Sequence, residues 1–358
     1  MIGPRTSEMS SARMQRLTLM LPIGAVLVSL LLAEIVLRIA GYGDEVRYQY
    51  LPDIGWVHRP NQHALTVGRK AVRINSFGLR GPNLPLGKPD GVFRILLLGD
   101  SFTFGYGVED DSTYGRQLER LFVDQPAECG RIEVLNAGVN GYNTSQELAW
   151  LRRSGLNFRP DLVILAFTPN DIMTENEGKR MLRWPLLKEL LSRSALYQFA
   201  APRLKALVYR KAGKAYQDTL SLFLQGDAAV DSRVEGLRAQ LAEFHQAAVS
   251  HDFQPVLVVF PFAEQVIRRE FQAWPPPAIE QQASSDQLPL LDLLPVFRDA
   301  VDRGESVYLN EPTRHPNGRG HQITADSLYA FLGNHRLLPD CGPHPKALPP
   351  GRVARATP

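Results

Sequence analysis

Short runs of continuously apolar residues recur along this chain: Arg94 to Leu98, Ile132 to Leu135, Asp161 to Phe167, Pro255 to Phe260 and Leu288 to Leu291. A strand with one wet face alternates apolar and polar side chains. A run without alternation must be covered on both faces, as inside a parallel sheet. The segments between the runs read as helices. Thr144 with Glu147 fits a capping box opening a helix through Leu151, and Leu237, Leu241, Phe244 and Ala248 make one apolar stripe. Strands alternating with helices predict a single doubly wound α/β domain, a three-layer α/β/α (flavodoxin-like) arrangement around a parallel sheet of about five strands. Ligands in such sheets bind at the carboxyl ends of the strands.

The chain has 358 residues, of which 44% are hydrophobic, enough for a substantial core. Lys plus Arg outnumber Asp plus Glu by 40 to 37. No basic run is interleaved with aromatics, so nucleic acid is dropped as a partner. Cys129 and Cys341 lie far apart without metal-ligand spacing; they can pair in an oxidising compartment or remain free thiols.

Leu17 to Ala33 carries no charge, and apolar character resumes from Ile35 to Ala40. That length suffices to cross a bilayer, which takes about 20 residues. Arg5, Arg13 and Arg16 precede it, so the positive-inside rule puts the N-terminus in the cytoplasm and the rest on the far side. Glu34 and Arg38 then fall near the outer interface, where long side chains snorkel. A cleaved signal peptide is the competing reading, but its apolar core is typically only about 7 to 15 residues long. A buried core helix is disfavoured by the terminal position and the flanking arginines. The expected organisation is a cytoplasmic N-terminus (1–16), a transmembrane anchor (17–40), a linker or strap (41–91), the α/β domain (92–338) and a Pro-rich disordered tail (339–358). An apolar and basic helical insert spans about 172–231, read either as a packed excursion or as a lid or lipid-facing surface.

The first run ends in Gly99-Asp100-Ser101. A serine there is either a helix cap or a nucleophile. Three later clusters bear on the choice. The second run ends in Asn136-Ala137-Gly138-Val139-Asn140-Gly141, whose glycines let backbone approach a ligand. The third ends in Thr168-Pro169-Asn170-Asp171, and His315-Pro316-Asn317-Gly318-Arg319-Gly320-His321 leads into a helix near Ala325 to Leu332.

In order and position these clusters resemble the four blocks of the SGNH or GDSL hydrolase superfamily, over roughly Arg94 to Leu332. The N-terminal anchor and the strap sequence Ile74 to Gly81 are similar to membrane-anchored bacterial members. The resemblance implies that Ser101 is the nucleophile, His315 the base, and the Ser101 and Gly141 amides with the Asn170 side chain the oxyanion hole. A serine hydroxyl needs a base to take its proton as it attacks, and the resulting oxyanion needs donors already in place. As structural residues, Asn170, Asp171 and Gly141 would be turn formers.

The family places an Asp three residues before the histidine, where this chain has Pro312. Glu311, one residue earlier and one methylene longer, is the candidate to orient His315. Failing that, a backbone carbonyl would leave a Ser-His dyad. Asp100 is expected to shape the turn under the serine, Asp292 to start a helix, and His321 to pack or cap. The remaining histidines show no metal-ligand spacing, so neither a metal nor a cofactor is expected.

The leading expectation is a serine esterase hydrolysing a carboxylic ester, such as an acetyl ester, through an acyl-enzyme. Its implied setting is the bacterial inner membrane, with a single pass and a periplasmic catalytic domain. The ester substrate would be an O-acylated glycan or lipid. Two alternatives stay open: an O-acyltransferase acting on cell-surface polysaccharide, and a catalytically silent binding protein that keeps the fold.

Overall fold

The structure is a computed structural model, which describes residues 6–123, 130–168, 171, 191, 193–201, 203–204, 228–269, 277–310 and 315–339. The chain divides into two units.

The larger unit, Val46–Pro185 with Lys214–Pro358, is built on the apolar runs. They become strands β5 (Val92–Leu98), β6 (Arg131–Asn136), β7 (Leu162–Phe167), β8 (Gln254–Val259) and β9 (Leu290–Asp292). All pair in parallel, in the order β6-β5-β7-β8-β9. This is the flavodoxin-like order, with its topological switch point between β5 and β7. Every residue of β7 is buried, as a run lacking alternation requires.

Arg94, inside the first run, is fully buried. Its guanidinium pairs with Glu133 at 2.9 Å and donates to the carbonyls of Pro85, Leu86 and Phe158. A buried cation is tolerable only with its donors satisfied in this way. The last run sits slightly later than expected, because β9 includes Asp292, whose Oδ1 accepts from the amide of Leu294 at the start of the next helix.

The helices along the chain are α1 (Thr6–Ile39), α2 (Ser101–Phe104), α3 (Tyr114–Leu121), α4 (Thr144–Arg153), α5 (Ala228–His251), α6 (Pro277–Ser285), α7 (Leu294–Asp302) and α8 (Gly318–Asn334). Two groups flank the sheet: α3 packs with α8, which also meets α7, while α5 packs with both α4 and α6. The stripe Leu237, Leu241, Phe244 and Ala248 is buried.

The capping box expected at α4 is corrected. The cap is Asn143, whose side chain accepts from the amide of Gln146, and Thr144 is the first helical residue. Asn143 and Thr144 are both good caps, so local sequence alone does not choose between them. Glu147 is not a reciprocal cap and is buried inside the protein.

Residues 48–74 form two antiparallel hairpins, β1 (Tyr48–Leu51) with β2 (Gly55–His58) and β3 (Gln62–Thr66) with β4 (Lys70–Ile74). Ile54, Val72 and Ile74 are buried, as is Leu79 just beyond, so this segment contributes apolar side chains to the unit.

The smaller unit is Met1–Glu45 with Leu186–Gly213. In α1, Met20–Ile39 is long and apolar enough to cross a membrane by length and composition, and that stretch is not buried within the protein. Near its end, the Glu34 carboxylate accepts from the Ser194 hydroxyl (2.8 Å) and the amides of Ala195 and Leu196 (2.9 Å each), the entry to a helical stretch at 195–201. Arg38 bridges to Glu34 and donates to the Arg193 carbonyl. Gln198 accepts from the amide of Gly43. Most of the expected insert, the tail, Cys129 and Cys341 lie outside the described residues.

Candidate active site

At the carboxyl end of β5 the chain turns directly into α2. Asp100 is the cap of α2, its Oδ1 accepting from the Phe102 amide at 2.8 Å, and Ser101 is the first helical residue. The serine, a half-buried residue, therefore emerges at the sheet's switch point. His315 Nε2 lies 2.8 Å from Ser101 Oγ. With the hydroxyl as donor, Nε2 accepts and the ring carries its proton on Nδ1.

The histidine is held by structure on both sides. Its carbonyl accepts from the Leu309 amide, Pro316 bridges to Tyr308, and Asn317 caps α8 by accepting from the amides of Arg319 and Gly320. The imidazole packs against the rings of Phe102 and Tyr106, at 5.3 and 4.6 Å between centroids.

The loop after β6 comes to the same place. Val139 donates its amide to the Gly99 carbonyl, and Asn136 Nδ2 donates to the Thr103 carbonyl. Gly138 is required there, because a Cβ at that position would lie 2.3 Å from the backbone nitrogen of Phe104. Gly141 has φ of 77°, a conformation L side chains rarely adopt, and is exposed.

Beneath the serine lie three buried carboxyls. Asp100, Glu147 and Asp171 are 1%, 1% and 5% exposed. Thr168 Oγ1 is 3.0 Å from Asp100 Oδ2 and 3.2 Å from Asp171 Oδ2, and the Thr168 amide donates to Asp171. One hydroxyl carries one proton, so Thr168 donates to only one of the two acids. Burial, reinforced by the neighbouring acids, holds Asp171 and Glu147 well above the usual carboxylate range, so this pair favours the neutral form. Asp171 can then donate to Thr168 while Asp100 accepts.

His321 is buried, accepts the Tyr114 amide at Nδ1 and stacks on the Tyr114 ring. Burial, with the charge of Arg80, lowers it to about 3, so it stays neutral. No group of acids, histidines or cysteines among the described residues can hold a metal ion.

Ser101 and His315 are thus brought together, and Gly141 lies on the loop beside them. Asn170 and Glu311 lie outside the described residues. Three side chains gave no sign in the sequence, and a fourth, Glu147, was read there only as a cap. Arg80 donates to the carbonyls of Phe104, Gly105 and Val108 behind α2, Trp56 lies against Gly141, Tyr106 packs on His315, and Glu147 lies in the acid cluster. Only Glu147 carried a legible signal, since it shares one helical face with Leu148 and Leu151, an acid on an apolar stripe.

No curated protein matches the chain in sequence. Among solved structures, LAE5, an alpha/beta hydrolase enzyme from the metagenome of Lake Arreo, is 17% identical, with 67% of this chain and 95% of that one covered at a TM-score of 0.43. An acetylxylan esterase from Geobacillus stearothermophilus is 18% identical, with 67% and 94% covered at 0.42. The psychrotrophic esterase EstA from Pseudoalteromonas sp. is 14% identical, with 68% and 98% covered at 0.40. Residues 97–323, more than half of the chain and all of the Ser101 to His315 site, match the profile of the GDSL-like Lipase/Acylhydrolase family; the chain belongs to that family and is an ester hydrolase.

Proposed function

We propose that this chain is a serine esterase held at a bacterial inner membrane by α1, with its catalytic domain on the periplasmic side, cleaving a carboxylic ester through an acyl-enzyme. The 2.8 Å contact between Ser101 Oγ and His315 Nε2 at the sheet's switch point carries this reading. As Ser101 Oγ attacks the ester carbonyl, its proton passes to Nε2. The carbonyl oxygen becomes an oxyanion that accepts from the amides of Ser101 and Gly141 and the side chain of Asn170. Collapse expels the alcohol, which takes the proton from His315. Water, deprotonated by the same imidazole, then releases the acid and frees the serine. Glu311 is the proposed partner that orients His315.

The contacts of Glu34 and Arg38 with residues 193–196 support an anchor that is retained. A leader cut off after α1 would take half of that hydrogen-bonded cluster with it.

The test is hydrolysis of p-nitrophenyl acetate by the full chain in detergent, beside folded Ser101→Ala, His315→Ala, Asn170→Ala and Glu311→Ala variants. The first two are expected to lose roughly 10⁴-fold or more in kcat. A parent no faster than Ser101→Ala would sink simple ester hydrolysis. Product analysis with a glycan acceptor present then separates hydrolysis from transfer: free acetate identifies water as the acceptor, and acylated glycan identifies a transferase.

A further inference from the structure

The β1–β2 hairpin precedes the residues that match the family, yet it grips the loop carrying Gly141 at successive positions. Trp56 Nε1 donates to the Asn140 carbonyl at 3.0 Å. Asn140 Nδ2 donates to the Tyr48 hydroxyl at 2.9 Å, and the Tyr142 hydroxyl donates to the Trp56 carbonyl. One helical turn further, Gln146 Nε2 donates to the carbonyl of Ile54 in the hairpin turn. The Trp56 and Tyr142 rings meet edge to face at 5.8 Å, and a Cβ on Gly141 would lie 3.5 Å from Trp56 Cζ2.

The carbonyl of Asn140 and the N–H of Gly141 belong to one peptide group. That group is planar, and in the trans form its oxygen and its hydrogen point in opposite directions. A donor that holds the oxygen therefore fixes the direction of the N–H. The same hydrogen bond polarises the peptide and strengthens its amide as a donor. Gly141 at φ of 77° has no side chain to hold this plane, and glycine is the residue freest to rotate out of it.

We propose that Trp56 is a positioning residue of the esterase: its indole N–H, bonded to the Asn140 carbonyl, aims the Gly141 amide at the oxyanion. The proposal rests on the serine reading above and on Gly141 as a donor to the transition state. A donor that acts only when the oxyanion forms affects kcat and leaves substrate binding nearly untouched. Losing such a donor outright costs roughly 10²- to 10³-fold; loosening it should cost about tenfold or more.

The experiment measures kcat and KM for p-nitrophenyl acetate, together with Tm, on the full chain in detergent. Trp56→Phe keeps an aromatic ring but removes the N–H. A benzothienylalanine at position 56 keeps the indole shape and replaces only N–H by sulfur, so it reports even if the Phe variant folds poorly. The expected result is a fall in kcat of about tenfold or more in both variants, with KM within about twofold and Tm nearly unchanged for the isostere. An isostere with parent kcat overturns the proposal, as does one whose loss falls on KM alone. Hydrolysis lost in Ser101→Ala but retained with the isostere overturns this inference alone, whereas hydrolysis that survives Ser101→Ala overturns the serine reading and this inference together.

Discussion

Arg80 lies against Phe104: its Nη1 donates to the Phe104 carbonyl at 2.6 Å, and its guanidinium sits 4.8 Å from the centre of the Phe104 ring. Phe104 closes the short helix that Ser101 opens. The same guanidinium also donates to the carbonyls of Gly105 and Val108 and pairs with Asp110 at 2.9 Å. One side chain from the strap therefore satisfies most of the turn that follows the serine.

Replacing Arg80 by Met should strand the carbonyls of Phe104 and Val108, while the Gly105 carbonyl keeps the Val108 amide and the Asp110 carboxylate keeps the Arg73 amide. The expected loss is about 2 to 6 kcal/mol, from two buried carbonyls left unsatisfied at about 1 to 3 kcal/mol each. Urea unfolding measures it, and a loss under about 1 kcal/mol would show that the turn holds without Arg80. Lys at this position, with one compact ammonium instead of a planar fork, should recover only part of the loss.

Gly138→Ala should cost both stability and activity, because its Cβ would meet the backbone of Thr103 and Phe104 at 2.7 and 2.3 Å. Backbone cannot rotate away as a side chain can, so α2 must shift. Overpacking of this kind costs about 1 to 3 kcal/mol, and displacement of Ser101 should lower kcat by about tenfold or more. Denaturant midpoints and esterase assays on one preparation check both, and unchanged values would contradict the close approach.

Glu147 is held well above the usual carboxylate range, by burial first and then by Asp171 and Asp100. A carboxyl raised in the folded state binds a proton that the unfolded chain releases. Its contribution to stability is full below the unfolded value of about 4.3 and is lost as pH rises through the folded value. Glu147→Gln keeps the shape without the proton, so it should gain on the parent as pH rises above about 4.3, by at most ~1.4 kcal/mol per pH unit. Urea titrations of both proteins between acid and neutral pH read the difference, and a flat difference would show that Glu147 takes up no proton on folding.

His58 and His321 act in the opposite sense. Burial lowers them to about 4 and about 3, the Arg80 charge contributing in both cases. The unfolded chain binds protons at these positions from about pH 6.5 downwards while the folded one does not. The stability they contribute is complete above that value and drains away as pH falls through the folded values. His321→Asn, which retains an acceptor for the Tyr114 amide, should show a shallower loss of stability between pH 6.5 and 4. An identical slope in parent and variant would mean that His321 is protonated in the folded state.

The sheet was legible because its signal is local: a run that must be buried on both faces shows in consecutive residues, and β5 to β9 fall on or within a residue or two of the five apolar runs. Ser101 was legible as a candidate because it lies three residues past the end of such a run, and the loop carrying Gly141 because it leaves the end of the next. The apolar span in α1 was equally plain. The cap of α4 was not, since Asn143 and Thr144 have equal local claims. Trp56 and Arg80 gave no local sign, because their partners are backbone carbonyls 84 residues away in one case and 24 to 28 in the other. Any residue offers such a carbonyl. Sequence by itself determined where burial is compulsory and which side chains can do acid-base chemistry. Tertiary structure alone decided which distant donor meets which carbonyl, because that choice follows from how the hairpins and the sheet pack and not from the identity of the acceptor.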